Sequence, residues 1–245
     1  MKNVYVIVPA GGTGTRFGAK KQFAEIQGMP LIVRTVEGIL DAFRHIDPKK
    51  YALKRIVIAA PSADCSQMEA LFSAHASIVK ITAGGESRAE SVGKAFRVLK
   101  DDSVNGSSAC TRTERIDDRE SYVAVHDGCR PFASASLWRV LLEGLSGDAD
   151  FVLPFTDITD TLKAKDSLLN IAREDYVTVQ TPQMMRMGAA RVLYDASDYG
   201  ASVTDDATLA KNYGCSIRLI RGEKCNIKIT DPEDMVLAQA LLQIQ

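Results

Sequence analysis

The stretch Val4-Tyr5-Val6-Ile7-Val8-Pro9-Ala10-Gly11-Gly12-Thr13-Gly14-Thr15-Arg16-Phe17-Gly18 sets the reading of this chain. Its β-branched run from Val4 to Val8 is apolar on both faces and stops at Pro9. That is the mark of a strand covered on both sides. Glycines at 11, 12 and 14 follow at once, where backbone N–H groups can approach an anion. The loop lacks the Gly-Lys-Ser/Thr ending of a Walker loop. It also fails Gly-x-Gly-x-x-Gly, because Gly14 is followed by Phe17-Gly18, one residue late. No acidic residue closes a second strand about 20 residues on, so a nucleotide is expected and a dinucleotide is not. A tight turn alone would also use these glycines. The cations Arg16, Lys20 and Lys21 just behind them favour an anion, and a triphosphate is the natural one.

Working outward, apolar runs alternate with helix-period stretches. Strands are expected at Arg55–Ala60, Ile78–Thr82, Tyr122–His126 and Asp150–Phe155, and helices at Leu31–Phe43, near Ser66–His75, at Ser87–Leu99 and at Ala135–Leu145. This rhythm predicts an α/β fold: a doubly wound, mostly parallel sheet in a single domain over residues 1–245. Asp101–Ser121 reads as a solvated insertion. Thr156–Gln180 reads as a hairpin or extended β-arm, with strand pieces near Asp160–Lys165 and Asp175–Gln180. Near the end, strands are expected at Ser216–Ile220 and Asn226–Thr230, then a helix from Asp231 capped by Thr230 with Glu233 three residues on.

The charges nearly cancel, 30 Lys+Arg against 31 Asp+Glu, so neither nucleic acid nor an anionic membrane is an expected partner. Five cysteines with no Cys-x-x-Cys spacing suggest neither a disulfide framework nor a zinc site. With an N-terminal apolar run too short for a signal peptide or a span, the expectation is a soluble, cytoplasmic protein.

Further chemistry-bearing segments fall at expected strand ends, where ligands bind in open α/β sheets. Gly84-Gly85-Glu86-Ser87-Arg88-Ala89-Glu90-Ser91 opens a helix, and Glu86 to Ser91 also reads as ordinary helix-start chemistry. In Val125-His126-Asp127-Gly128-Cys129-Arg130-Pro131, Asp127 could ligate Mg²⁺ or hold a ribose hydroxyl. His126 fits a hydrogen-bonded strand-end histidine, and Cys129, with no general base beside it, a structural thiol. Lys228 alternates with Ile227 and Ile229, so it faces away from them, toward a cleft or toward solvent.

Taken together, the PAGGTGTRFG loop, Lys21-Gln22-Phe23, GGESRAESV, VHDGCRP, Gln180-Thr181-Pro182-Gln183, Thr204-Asp205-Asp206 and Asn226–Thr230 resemble the 2-C-methyl-D-erythritol 4-phosphate cytidylyltransferases. The related ribitol-5-phosphate cytidylyltransferases share several of these segments. Ser91-Val92 and Asp160–Lys163 favour the erythritol branch, while the AGG loop and Gln180 look more like the ribitol branch. The resemblance implies a Rossmann-like nucleotidyltransferase sheet, a homodimer exchanging the 156–180 arm, Mg²⁺, and CTP with a polyol phosphate as substrates. It implies catalytic roles for Arg16 and Lys21. Nucleotide contacts would come from Ala10, Gly11, Gly12, Gly14, Gly85, Glu86, Ser91, Asp127 and Arg130, with Asp127 also nearest to any Mg²⁺. The acceptor would meet Thr161, Arg173, Thr181, Thr204 and Lys228, Thr161 and Arg173 arriving from the partner chain. This chain departs from the family at Lys20, where proline is common, and at Gly128-Cys129. A non-catalytic nucleotide-binding protein on the same fold is the rival from another class.

Overall fold

The computed structural model describes residues 1–11, 17–18, 20–102, 116–145, 147–195 and 205–243. The elements run β1 (Lys2–Pro9), β2 (Glu25–Ile26), β3 (Met29–Pro30), α1 (Leu31–Arg44), β4 (Tyr51–Ala60), α2 (Cys65–Leu71), β5 (Val79–Ala83) and α3 (Arg88–Asp102). They continue β6 (Ser121–Val125), α4 (Ala135–Gly144), β7 (Phe151–Asp157), β8 (Leu162–Lys163), β9 (Asn170–Ile171), β10 (Val177–Val179) and β11 (Gln183–Arg186). The last are α5 (Met187–Tyr194), α6 (Asp206–Asn212), β12 (Ile217–Arg221) and α7 (Pro232–Leu241).

An eight-stranded sheet has the order β10-β7-β11-β6-β1-β4-β5, with β12 along the other edge of β7. The β1, β4, β5 and β6 pairings are parallel, as is β12 with β7, whereas β11 and β10 run antiparallel to their neighbours. Strand alternation divides the core. Val4, Val6 and Val8 of β1 face α1, α2 and α4, while Ile7 faces α3, α5 and α6. Helix α1 supplies the matching face, burying Leu31, Ile32, Thr35, Val36 and Ile39 at helical spacing. The result is the doubly wound, mostly parallel sheet expected from the sequence.

Strand β11 was not foreseen. It inserts between β6 and β7, pairing Gln183 with Val125 and Met184 with both Ala124 and Val152. Its four residues are too few for a clear period, and Pro182 masks its start. Asn226–Thr230, expected as a strand, is not one. It makes one sheet-like bond, Ile229 N–H to Cys129 O at 2.9 Å, and spends its apolar alternation on a third cluster. There Ile229 packs with Ile26, Leu31, Cys129, Phe132 and α7. The α7 cap also sits one residue later than expected: Asp231 is the N-cap and Asp234 its reciprocal partner, because Pro232 takes the first helical position. Of the 101–121 insertion, residues 103–115 lie outside the described residues; Ile116 beyond them packs on the second cluster.

The arm is present as β8 and β9, a short hairpin, with β10 returning along β7. Leu168, Leu169, Tyr176, Val177 and Val179 are exposed along it. Among the described residues no helix is long and apolar enough to cross a membrane.

Candidate active site

The carboxyl ends of β1, β5 and β6 open into one cleft of about 340 Å³. Ala10 and Gly11 continue β1, Gly85 to Ser91 follow β5, and Asp127 to Cys129 follow β6. Lys21 and Gln22 enter from the short 3₁₀ turn Lys21–Phe23, and Lys228 from the segment before α7. The cleft volume falls within the range of small-ligand sites.

Two glycines are required by close approach. A Cβ on Gly84 would lie 2.9 Å from Ser91 Oγ and 3.4 Å from the Ala60 carbonyl. One on Gly128 would lie 2.9 Å from Ile32 Cδ1 and 3.3 Å from the Pro9 carbonyl, which explains why a small residue stands there. Ser91 is buried; its hydroxyl accepts from Gly85 N–H at 3.0 Å and donates to Ser87 O at 2.9 Å. The helix-start reading of this segment also holds: Ser87 Oγ accepts from Glu90 N–H, and Glu90 accepts from Glu86 N–H at 2.8 Å.

Asp127 is the electrostatic hub. Its carboxylate lies 2.8 Å from Lys228 Nζ, 3.4 Å from Arg88 Nε and 3.7 Å from Arg130 Nε. Burial opposes its charge, yet Arg88, Lys228 and Arg130 outweigh burial and hold its pKa well below the carboxylate range. At Arg130 the balance goes the other way, and burial lowers the pKa despite Asp127. A guanidinium stays charged under either influence. Arg130 Nη1 also donates to Asn226 O at 2.7 Å.

His126 is fully enclosed. Burial pushes its pKa down to about 4, so it is neutral near pH 7. Its Nε2 lies 2.9 Å from Arg130 O, an acceptor, so Nε2 carries the proton. Nδ1 therefore accepts from the Thr181 hydroxyl at 3.1 Å, and Thr181 Oγ1 accepts from Asp127 N–H at 3.0 Å. His126 is thus the bonded strand-end histidine the sequence suggested. Cys129 is buried with its thiol pKa raised by burial, in keeping with a structural role.

Of the expected site residues, Ala10, Gly11, Lys21, Gly85, Glu86, Ser91, Asp127 and Lys228 line the cleft. Arg130 and Thr181 are buried behind Asp127. Thr161 and Arg173 lie exposed on the arm and do not line this chain's cleft; Arg173 donates to Thr159 O. Gly12, Gly14, Arg16 and Thr204 fall outside the described residues.

Arg88 carried no role in the sequence reading. It lines the cleft between Asp127 and Asp206, with Nη1 2.6 Å from an Asp206 oxygen. Burial works against its charge, but Asp206 and Asp127 outweigh it and raise its pKa. Asp206 is 2% exposed and also accepts from the Tyr194 hydroxyl at 2.6 Å. A signal was available: a cation in the first turn of α3 opposes the helix dipole and needs an acidic partner.

The cleft does not fit a protein-made Mg²⁺ cage. Both oxygens of Asp127 face cations, and the described residues hold no cluster of three His, Cys, Asp or Glu that could bind a metal.

Comparison with known proteins identifies the family. The family model described as IspD, 2-C-methyl-D-erythritol 4-phosphate cytidylyltransferase, matches residues 4–244. A curated protein of that name from Rhodopirellula baltica is 33% identical over 248 residues, covering 98% of this chain and 95% of its own. One from Rubrobacter xylanophilus is 30% identical, covering 99% and 96%. The crystal structure of the Thermus thermophilus cytidylyltransferase superposes with a TM-score of 0.71 at 28% identity, covering 99% of this chain and all of that one. Matched by that family model over residues 4–244, the chain belongs to the 2-C-methyl-D-erythritol 4-phosphate cytidylyltransferase family.

Proposed function

We propose the following division of labour for the family's reaction in this chain. The enzyme transfers CMP from CTP to 2-C-methyl-D-erythritol 4-phosphate, giving CDP-methylerythritol and pyrophosphate in non-mevalonate isoprenoid biosynthesis. The observation that carries this reading is the meeting of Lys21, Arg88 and Lys228 in one glycine-walled cleft at the strand ends. The acceptor phosphate is already a dianion near neutral pH and needs no general base. The neutral, fully bonded His126 is consistent with that. The task is to bring two anions together and stabilise charge at the α-phosphorus, which oriented cations do.

Arg16 and Lys21 carry that charge. Ser91, with backbone of Ala10 and Gly85, reads cytosine; Gly11, Gly12, Gly14, Glu86, Asp127 and Arg130 complete the nucleotide side. Lys228, Thr181, Thr204, Thr161 and Arg173 serve the acceptor. Mg²⁺ would travel with the triphosphate, since the described residues offer no cage, and no step here depends on it. The odd cysteine count fits a reducing compartment, and we place the enzyme in the cytoplasm.

Steady-state pyrophosphate release with each acceptor tests the substrate. The kcat/KM for methylerythritol 4-phosphate should exceed that for ribitol 5-phosphate by at least about 10²-fold. A preference for ribitol phosphate would reassign the acceptor while leaving cytidylyl transfer intact. No release with either would favour the non-catalytic rival.

We also propose that residues 1–245 act as one domain and that the arm crosses to a second copy. Its support is the exposed apolar set on the arm, together with Thr161 and Arg173 being exposed on it and not among the residues that line this chain's cleft. Mixing Lys21→Ala chains with Arg173→Ala chains should then restore roughly a quarter of the wild-type rate, since each heterodimer keeps one intact composite site. No recovery after verified subunit exchange would rule out a shared site.

A further inference from the structure

We propose that Asp64 is a positioning residue for Lys21, acting through the two residues that flank it. Asp64 ends the turn Ser62–Asp64 after β4, and its side chain is 2% exposed. One carboxylate oxygen pairs with the Lys20 ammonium. The other accepts from Gln22 Nε2 at 3.3 Å. A single buried carboxylate thus grips the residue before Lys21 and the residue after it.

Phe23 anchors the far end of this turn on the first core cluster, and Asp64 holds the end that carries Lys21. The 3₁₀ turn Lys21–Phe23 has no side-chain cap, and two backbone bonds close it, Phe23 N–H to Lys20 O and Ala24 N–H to Lys21 O, both 3.0 Å. Among the described residues, the hydrogen-bond partner of Lys21 Nζ is a neutral carbonyl, Ile229 O, at 3.3 Å. The aim of Lys21 into the cleft is therefore set by the backbone on either side of it. Buried carboxylates persist where they are matched, and both matches here lie in the Lys21 turn. The pairing has a second effect. Lys20 is 59% exposed, and Asp64 neutralises it, so two adjacent lysines do not compete for one phosphate.

The inference rests on the proposed role of Lys21, and its test separates the two. Asp64→Asn keeps the shape of the side chain and loses the ion pair. It should lower kcat for CMP transfer roughly ten-fold with KM for the acceptor little changed, the cost of a misplaced group. In a Lys21→Ala background, followed by single turnover, Asp64→Asn should cause no further loss. An equal loss in both backgrounds, or an unchanged kcat in the Asp64→Asn enzyme, would overturn the proposal. Lys21→Ala alone with full activity would instead overturn the role of Lys21. Lys20→Met removes the same pair from its exposed end. It should reproduce the ten-fold loss without being additive to Asp64→Asn, and it decides the matter if Asp64→Asn fails to fold.

Discussion

Replacing Lys21 with alanine should lower turnover by about 10²–10³-fold, and Arg16→Ala should do the same, whereas Lys20→Ala should cost only about ten-fold. The size for the first two is that of deleting one preorganised donor aimed at charge that develops in the transition state. Lys21 lines the cleft, while the neighbouring Lys20 turns away to Asp64. Two lysines adjacent in sequence thus have different destinations, and the kinetics should part accordingly. Chemistry is the step affected, so the loss should fall on kcat more than on KM. Pre-steady-state quench measurements of CMP transfer check this. Equal, large losses at Lys20 and Lys21 would overturn the register that makes Lys21 the phosphate ligand.

The parallel core was readable because its strands are long and apolar on both faces; β1 and β4 begin and end within a few residues of their expected limits or extend them. Strand ends then located the cleft, since glycines and charges fall directly after Val8, Ala83 and Val125. What the sequence concealed was set by tertiary contact. Met184 and Met185 form a strand only because β6 and β7 leave a slot between them. The alternation at Ile227-Lys228-Ile229 gave the right facing for Lys228 without a strand to carry it, because Ile229 packs against Cys129 and α7. The partners Asp64 and Asp206 lie 44 and 118 residues from the cations they hold, and no local pattern joins them.

The second large effect concerns Asp127. Asp127→Asn should lower the free energy of unfolding by about 3 kcal/mol at pH 7, the scale of leaving a buried cation without its counter-charge. Arg88 keeps Asp206, and Lys228, 42% exposed, can turn to water. Arg130 cannot: its side chain is 10% exposed, and Asp127 is the carboxylate beside it. The sign with pH follows from the depressed pKa of Asp127. Its contribution is fully present above the unfolded value near 3.9 and is lost as pH falls toward the lower folded value. The gap between wild type and Asp127→Asn should therefore hold from pH 7 to about 5 and then shrink by about 1.4 kcal/mol per pH unit below about 4. His126 adds a separate slope. Its folded pKa of about 4 lies below the ordinary 6.5, so the unfolded chain takes up that proton first. Both proteins lose stability from this source between those values, and because the Asp127 charge raises the His126 pKa, the variant carries that slope to somewhat lower pH. Urea unfolding of each across pH 7 to 2.5 makes the comparison. A gap of the same size at both ends would mean that the carboxylate acts by shape and not by charge.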